Sequence, residues 1–282
     1  MNHPDTAISI LKRFERYLEE EEKSKATIEK YIRDIRKFYE FLDGAEIDKE
    51  HTIAYKKYLA ERYAATSVNS MLVALNCFLR FSGLQTCCIK LLKIQRQIFA
   101  AEDHELSKEE YQNLLKAAKS AKNDRLFLLL QTMCGTGIRV SELRYITVEA
   151  IRRGKAVVNC KNKTRVIFIP VPLQKLLKEY SKKTGIQAGP VFVSKNGKPL
   201  DRSNIWRDMK SLCKQADVPP KKVFPHNLRH LFARTFYSVE KDIVRLADLL
   251  GHSSINTTRI YTMETGFQHV NRLEQVQVLL TT

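Results

Sequence analysis

The sequence lacks any long uninterrupted apolar run. Its longest runs, Leu126 to Leu130 and Val276 to Leu280, fall far short of the roughly 20 residues that a membrane-spanning helix requires. The first residues, Met-Asn-His-Pro-Asp-Thr, also lack the basic and then apolar pattern of a secretory signal. We therefore expect a cytoplasmic protein without a membrane span.

Patterns that bind metals or nucleotides are scarce as well. The six cysteines never take the C-x-x-C spacing of a zinc or redox centre, and we interpret them as reduced thiols. His226 and His230 stand at i and i+4, but the glutamate of an H-E-x-x-H motif is missing, and residues 218–239 contain no acidic ligand for a divalent ion. The turn at residues 135–137 lacks the Gly-Lys-Ser/Thr of a Walker loop. These absences favour chemistry without a metal or another cofactor.

Positive charge is plentiful and unevenly distributed. The chain carries 48 basic and 31 acidic side chains, a formal net charge of +17. Residues 1–100 hold 17 basic and 14 acidic groups (+3), whereas residues 101–282 hold 31 and 17 (+14). Nucleic acid is the usual partner of such an excess, because each phosphate that Lys or Arg neutralises releases condensed counterions. A solubilising surface and anionic lipid are the alternatives, but these basic residues are not gathered on one amphipathic helix.

The first hundred residues have the periodicity of helices. A chain of 282 residues usually contains two domains, and this segment predicts a four-helix bundle over residues 1–98. Two of its helices, about 6–22 and 50–63, have a weaker apolar pattern than the other two. The stronger helices carry Ile28, Tyr31, Ile32, Ile35, Phe38, Tyr39 and Leu42, and Val68, Met71, Leu72, Leu75, Phe78 and Leu79.

The pattern changes after this bundle. A basic and polar stretch precedes Ser107-Lys-Glu-Glu110, which forms a capping box for a new helix, so we place a short linker at residues 99–104. Residues 105–265 predict a mixed α/β domain, mostly helical with a small antiparallel sheet, so the fold as a whole is mainly α. Its strands, about 156–160 and 164–169, flank the polar turn Lys161-Asn-Lys163. Its helices are predicted near 107–119, 122–133, 171–183, 203–216, 226–237, 241–250 and 254–262.

Two features of the second part could bind an anion. The turn at residues 135–137 delivers Arg139 to the start of a helix, where the helix dipole disfavours arginine unless an anion is also present. A solvated Arg139 paired with Glu142 is an equally good interpretation. Lys161 and Lys163 stand on the hairpin turn, where an ammonium could reach a DNA backbone oxygen or could simply be solvated.

Two later motifs place polar groups at helix ends. Proline favours the first helical position, so the Pro-His-Asn-Leu-Arg segment places His226 and Arg229 on one side of a first turn, where phosphate would fit. The alternative is a surface His and Arg. Gly251 suits a helix C-cap, His252 follows in the turn, and Tyr261 comes about two turns later. By itself, one tyrosine of eleven is more often structural than nucleophilic.

Taken together and in this order, the four motifs closely resemble those of the tyrosine site-specific recombinases, also called phage integrases. They read Gly-Ile-Arg139-Val-Ser-Glu-Leu, the Lys161 hairpin, Pro-His226-x-x-Arg229-His and Leu-Leu-Gly-His252-Ser-x-x-x-Thr-Thr-x-x-Tyr261. The resemblance spans about 105–265, and helical residues 6–98 look like the family's core-binding, SAM-like domain. Because no arm-binding module precedes that domain, we expect a compact Xer-like member. It would act in integration and excision of a mobile element or in dimer resolution.

The resemblance implies a covalent mechanism. Tyr261 would attack a backbone phosphorus, giving a 3'-phosphotyrosine link and a free 5'-hydroxyl. Arg139 and Arg229 would clamp the non-bridging oxygens, since guanidinium binds phosphate in a bidentate manner. The resemblance implies no metal or ATP, because the phosphotyrosine bond stores the energy for rejoining. Free tyrosine has a pKa of about 10, so the nucleophile needs a base or cationic surroundings.

Three more side chains receive roles from the resemblance. Lys161 would protonate the departing 5'-oxygen, His226 would assist proton transfer at the nucleophile, and His252 would hydrogen-bond the phosphate. The family's hairpin often reads Gly-Lys-Gly-x-Lys-x-Arg, whereas this one reads Cys-Lys-Asn-Lys-Thr-Arg and is one residue shorter. We favour Lys161 over Lys163 because Lys161 directly follows the first strand.

The implied partners are double-stranded DNA recombination sites, a homotetramer in the synaptic complex and, in some systems, a directionality or accessory protein. The apolar tail at residues 266–282 would dock on a neighbouring protomer, or it would pack within its own domain. Two rival functions are a type IB topoisomerase-like enzyme and a DNA-binding regulator on a degenerate scaffold. The tail and the compact bundle argue against the first rival, and the complete set of six candidate residues argues against the second.

Overall fold

The structure is a computed structural model that describes residues 4–94, 105–160 and 163–261. The chain divides into two compact units, Met1–Arg96 and Gln97–Thr282. The predicted fold class, mainly helical with one small antiparallel sheet, is confirmed. Within the described ranges, no helix is both long enough and apolar enough to cross a membrane. The predicted linker (99–104), the candidate Lys161 and the predicted tail (266–282) lie outside these ranges.

The first unit is the predicted four-helix bundle. Its helices are α1 (Pro4–Glu20), α2 (Lys25–Leu42), α3 (Lys49–Arg62) and α4 (Ala65–Phe81). Side-chain caps fix two of the starts, since Ser24 accepts a hydrogen bond from the Thr27 N–H and Asp48 accepts one from the His51 N–H. Phe14 and Phe78 meet edge to face in the core, with ring centroids 5.2 Å apart. Apolar burial at helical spacing therefore builds this unit.

Two asparagines of α4 hold the chain that follows the bundle. The Asn76 side chain donates to the Ile89 carbonyl at 2.8 Å and accepts from the Ile89 N–H at 2.9 Å. Asn69 makes the same two-way contact with Leu92, at 2.9 Å and 2.7 Å. These side chains satisfy backbone groups that have no strand or helix partner of their own.

The second unit is mostly helical. Its elements are α5 (Lys108–Ser120), α6 (Asp124–Thr136), a 3-10 helix (Val140–Tyr145), α7 (Val148–Arg153), β1 (Lys155–Cys160), β2 (Lys163–Phe168), α8 (Val171–Thr184), α9 (Arg202–Ser211), α10 (Cys213–Ala216), a 3-10 helix (Pro220–Lys222), α11 (Pro225–Glu240), α12 (Ile243–Leu250), α13 (Ile255–Thr258) and a last 3-10 helix (Arg259–Tyr261). The predicted capping box is present, because Ser107 accepts from the Glu110 N–H and Glu110 accepts from the Ser107 N–H. Pro225 is at the start of α11, as predicted.

Four details of this unit differ from the predictions. The helix predicted over 203–216 is two helices that break at Leu212, the helix predicted over 254–262 ends in a 3-10 turn, and α7 was not predicted. The hairpin turn is shorter than predicted, since Cys160 pairs with Lys163 and only residues 161–162 connect the strands. Alternation along β2 directs Arg165 and Ile167 inwards and leaves Phe168 exposed.

Candidate active site

Tyr261 lies at the end of the second unit's described part, on the 3-10 helix that follows α13. Its side chain is only 4% exposed and packs in a small cluster with Ala233, Leu246 and Leu250. The His230 ring meets it edge to face with centroids 4.7 Å apart. The His252 ring stacks on it at 6.0 Å with an interplanar angle of 16°. Tyr261 is therefore packed inside its own unit and surrounded by polar rings.

Arg229 is the most deeply buried cation of this pocket, with 2% exposure. Its Nη1 donates to the Gly137 carbonyl at 2.5 Å, and its Nη2 donates to the Leu250 carbonyl at 2.6 Å. These carbonyls belong to the C-terminal ends of α6 and α12, where helices leave acceptors unsatisfied. The same Nη2 lies 3.0 Å from Nε2 of His252, whose ring stacks on Tyr261. The alternative of a surface arginine is wrong for Arg229.

The charge of Arg229 is surrounded by two backbone carbonyls and the His252 ring. No carboxylate among the described residues forms an ion pair with it. Burial, followed by the nearby positive charge of Arg139, lowers its pKa to about 10. A buried charge without a counter-ion is costly, so this geometry favours the arrival of an anion beside Arg229. Phosphate has the charge and the acceptor oxygens that a guanidinium binds best.

Arg139 faces the same pocket from the turn that follows α6. Its Nη1 donates to Glu142 Oε1 at 2.9 Å, and its Nη2 donates to the Gly251 carbonyl at 3.1 Å. The side chain remains 39% exposed, so it can still reach a ligand. The alternative interpretation was a solvated Arg139 paired with Glu142. That pairing is present, but Glu142 is buried, with only 2% exposure. The pair is therefore part of the pocket wall.

Arg165 is a residue of this pocket that the sequence motifs did not single out. It extends from β2, forms an ion pair with Glu142 and donates through Nη1 to the Leu249 carbonyl at 2.8 Å. Although burial raises the pKa of Glu142, hydrogen bonds from Arg165 and Arg139 hold that pKa below its ordinary value. The available signal was the strand alternation, which points Arg165 to the same side as the buried Ile167.

The end of α12 connects all three arginines. Its last two carbonyls and that of Gly251 each accept from a different guanidinium: Leu249 from Arg165, Leu250 from Arg229 and Gly251 from Arg139. The C-terminal end of a helix carries partial negative charge, which stabilises cations there. One helix end therefore gathers three arginines in front of Tyr261.

His252 follows this helix end directly. Gly251 is in the left-handed conformation (φ 62°) and ends α12, and the His252 N–H returns to the Ala247 carbonyl at 3.0 Å. Burial, followed by the charges of Arg229 and Arg139, lowers the pKa of His252 to about 4, so the ring is neutral at pH 7. Because arginine can only donate, Nε2 accepts from Arg229. Nδ1 then carries the proton and donates to Thr258 Oγ1 at 2.9 Å.

Two histidines project from the first turns of α11. Although His226 is exposed, partial loss of water around its ring, followed by the positive charges of Arg229 and Arg139, lowers its pKa below the ordinary value. His230 is partly buried, and burial followed by the charge of His226 lowers its pKa to about 4. Their rings meet edge to face at 4.5 Å. His230 entered the sequence predictions only as half of a metal pair, yet it is the ring that contacts the side of Tyr261.

Five of the six candidate residues therefore lie in one pocket: Arg139, His226, Arg229, His252 and Tyr261. Lys161 lies outside the described residues, as does the side chain of Lys163, so the choice between these lysines stays a prediction. Across the described ranges, no group of three His, Cys, Asp or Glu side chains could hold a metal ion. The pocket offers guanidinium and imidazole groups around a phenol.

Comparisons with known proteins show the family of this chain. The model of the phage integrase family matches residues 104–266, and that of the phage integrase N-terminal SAM-like domain matches residues 11–84. Tyrosine recombinase XerA of Pyrococcus furiosus is 33% identical over 281 residues, covering 96% of this chain and 94% of the relative. The chain belongs to the phage integrase family of tyrosine recombinases, enzymes that cut and rejoin DNA at specific sites.

Solved structures share the fold. A crystal structure of XerA recombinase is 28% identical, covers 95% of this chain and 98% of its own, and has a TM-score of 0.53. A lambda integrase tetramer bound to a Holliday junction is 20% identical, covers 90% of this chain and 76% of its own, and has a TM-score of 0.73. The family predicted from the four motifs is confirmed.

Proposed function

We propose that Tyr261 is the nucleophile of this recombinase and that it attacks a phosphate held by its own protomer. The reaction joins Tyr261 Oη to the 3'-phosphate and releases the 5'-hydroxyl, and the reverse reaction on another 5'-hydroxyl rejoins the strand. The observation that carries this proposal is the buried Arg229, which has no acidic partner among the described residues and contacts His252, whose ring stacks on Tyr261. A phosphate placed there would accept hydrogen bonds from the guanidinium and would also lie beside the Tyr261 hydroxyl.

Arg139 and Arg229 clamp the non-bridging oxygens in this proposal. Their guanidinium groups are preorganised by backbone carbonyls and by Glu142, so little reorganisation is needed when charge develops in the transition state. One preorganised donor of this kind contributes about 3–4 kcal/mol of transition-state stabilisation. The partly exposed Arg139 approaches from the open side, and the buried Arg229 forms the floor.

The other candidate residues move protons or bind the phosphate. His252 Nε2 faces Arg229, and in this proposal the ring hydrogen-bonds the phosphate in its other tautomer, with the proton on Nε2 and with Nδ1 accepting from the Thr258 hydroxyl. His226, the exposed imidazole at the start of α11, assists removal of the Tyr261 proton. Lys161, at the hairpin turn, protonates the departing 5'-oxygen, with Lys163 as the alternative. Histidine and lysine side chains are common general acids and bases in proton transfer.

The assembly proposed here follows the relatives. The lambda integrase structure is a tetramer on a Holliday junction, and the net charge of +17 suits double-stranded DNA. We propose a cytoplasmic homotetramer on two DNA sites, with a core-binding domain at 1–98, a linker at 99–104, a catalytic domain at 105–265 and a tail at 266–282 that docks on a neighbour. An accessory or directionality protein is a further partner in this proposal.

The test is covalent capture on a nicked DNA site, where loss of a short fragment prevents rejoining. Wild-type protein should accumulate a protein–DNA adduct, and Tyr261→Phe should give none, because the phenyl ring fills the same space without a nucleophilic oxygen. Tyr237→Phe is the matched control, since Tyr237 packs against the same apolar cluster. Equal adduct yields from wild type and Tyr261→Phe would overturn the proposal.

A second assay separates the rival functions. With two complete DNA sites, a recombinase yields exchanged products, whereas a topoisomerase-like enzyme only relaxes supercoils and a degenerate regulator binds without cutting. We expect exchanged products that depend on Tyr261. Truncation after Gly266 should slow synapsis and exchange, and unchanged rates would exclude docking of the tail.

A further inference from the structure

Arg165 occupies an unusual place for a strand arginine. Its side chain is 12% exposed and spans two elements that are far apart in sequence, the Glu142 carboxylate and the Leu249 carbonyl. Each terminal nitrogen of Arg165 already donates one N–H group, as the terminal nitrogens of Arg139 and Arg229 do. Arg139 is more exposed, however, and Arg229 contacts the His252 ring that stacks on Tyr261, whereas Arg165 bonds Glu142 and Leu249. We therefore assign direct phosphate binding to Arg139 and Arg229 and a different role to Arg165.

The contacts of Arg165 and Arg139 form a closed ring. Arg139 binds Glu142 Oε1 and the Gly251 carbonyl, whereas Arg165 binds Glu142 Oε2 and the Leu249 carbonyl. One carboxylate and one helix end thus hold both guanidinium groups. If Arg165 were absent, Glu142 would keep one arginine, and the Leu249 carbonyl would lose its donor. Fewer hydrogen bonds would then connect Arg139 to the end of α12.

Gly251 supplies an independent sign that Arg165 is built into this turn. A Cβ atom added at Gly251 would lie 2.5 Å from Arg165 Cδ and 3.3 Å from its Nε. The backbone there has φ +62°, a conformation that glycine adopts readily. The turn that carries His252 therefore lies directly against the Arg165 side chain, so the position of the turn depends on the position of that side chain.

We propose that Arg165 is a positioning residue, which fixes Arg139 and the His252 turn in the geometry that binds the scissile phosphate. This inference rests on the proposed function. Arg165 acts through Glu142 and the end of α12 and does not touch the DNA phosphate. A lysine cannot replace it, because a single ammonium lacks the planar fork that reaches the carboxylate and the Leu249 carbonyl together.

The test compares Arg165→Lys with Arg153→Lys, a matched change of an exposed arginine that donates to the Glu149 carbonyl of its own helix. Single-turnover adduct formation is measured on a nicked DNA site at saturating protein. Two substrates are used, one with the natural scissile phosphate and one with a methylphosphonate, which lacks the negative charge that the arginines stabilise. Circular dichroism checks that each variant is folded.

On the natural phosphate, Arg165→Lys should be about 100-fold slower than wild type, the size of effect expected when a clamp is displaced by about 1 Å. On the methylphosphonate the two proteins should react at similar rates, because a neutral centre makes little use of the clamp. Arg153→Lys should follow wild type on both substrates. Rescue on the neutral substrate is a result that general loss of structure would not produce.

Two outcomes would overturn the positioning role. The first is that Arg165→Lys reacts like wild type on the natural phosphate. The second is that it is equally slow on both substrates, as a defect unrelated to the clamp would be. If Arg165→Lys does not fold, Glu142→Gln is judged by the same two rates, since it removes the shared carboxylate charge. Absence of any adduct from wild-type protein would instead contradict the proposed function itself.

Discussion

The first unit and the Tyr261 pocket are held together by different forces. In the first unit, Phe14, Phe38 and Phe78 are fully buried; Phe14 meets Phe78 edge to face, and Phe38 packs on Tyr55 with ring centroids 5.0 Å apart. In the pocket, Arg139 and Arg229 are held by backbone carbonyls at helix ends. Apolar burial stabilises the fold in proportion to area, whereas the arginine contacts fix directions in space. Stability and activity should therefore respond to substitutions in different regions.

The largest change in stability is expected in the first unit. Phe78→Ala removes a fully buried ring that contacts Phe14, and it should lower the unfolding free energy of that unit by about 3–5 kcal/mol. Urea unfolding followed by circular dichroism measures this loss. Val73→Ala, an exposed site on the same helix, is the control and should change stability by less than about 0.5 kcal/mol. A similar loss from both variants would mean that apolar burial is not what stabilises the first unit, contrary to the contrast with the pocket.

The Arg229→Gln variant should show the opposite pattern. Removing this phosphate donor should slow single-turnover cleavage by about 100- to 1,000-fold. The lost bonds to Gly137 and Leu250 destabilise the protein, but relief of a buried charge offsets them, so the net stability change should stay within about 2 kcal/mol. Thermal unfolding and adduct kinetics measure the two effects. Normal cleavage by a folded Arg229→Gln protein would show that the pocket is not the reaction site.

A smaller effect is expected from pH. The folded-state pKa values of His230 and His252, about 4, lie below the ordinary value of 6.5. The unfolded chain therefore takes up these protons first, and the stability of the second unit should fall as pH drops from about 6.5 to about 4. Both rings are partly exposed and solvent screens the effect, so the total loss should be about 1–2 kcal/mol. Urea midpoints measured across this range should decline less in His230→Gln. An unchanged slope would mean that His230 is not held neutral.

Much of the fold could be predicted because its signals are local. The apolar periodicity of residues 28–42 and the capping box of Ser107 and Glu110 each depend on neighbours within a few positions. The α7 helix has only six residues, too few for a periodic pattern to stand out. The break at Leu212 was also missed, because both flanking segments carry helical patterns.

The site could be predicted only in part. The order of the motifs predicted Arg139, His226, Arg229, His252 and Tyr261, and the pairing of Arg139 with Glu142 was one of two interpretations, but the carbonyl partners of the arginines were not predicted. The partners of the arginines are main-chain carbonyls, which leave no mark in a sequence, and Arg165 reaches Leu249 across a long separation along the chain. Such contacts depend on the packed arrangement of helix ends, which follows from the tertiary fold as a whole.

The most direct measurement is to identify the residue that becomes linked to DNA. Adduct formed on the nicked site is digested with trypsin and nuclease, and the modified peptide is sequenced by mass spectrometry. Cleavage after Arg259 and Arg272 releases residues 260–272, which contain Tyr261 as their one tyrosine. The expected result is a nucleotide phosphate on Tyr261 alone. A phosphate on any other residue, with Tyr261 unmodified, would contradict the assignment of the nucleophile.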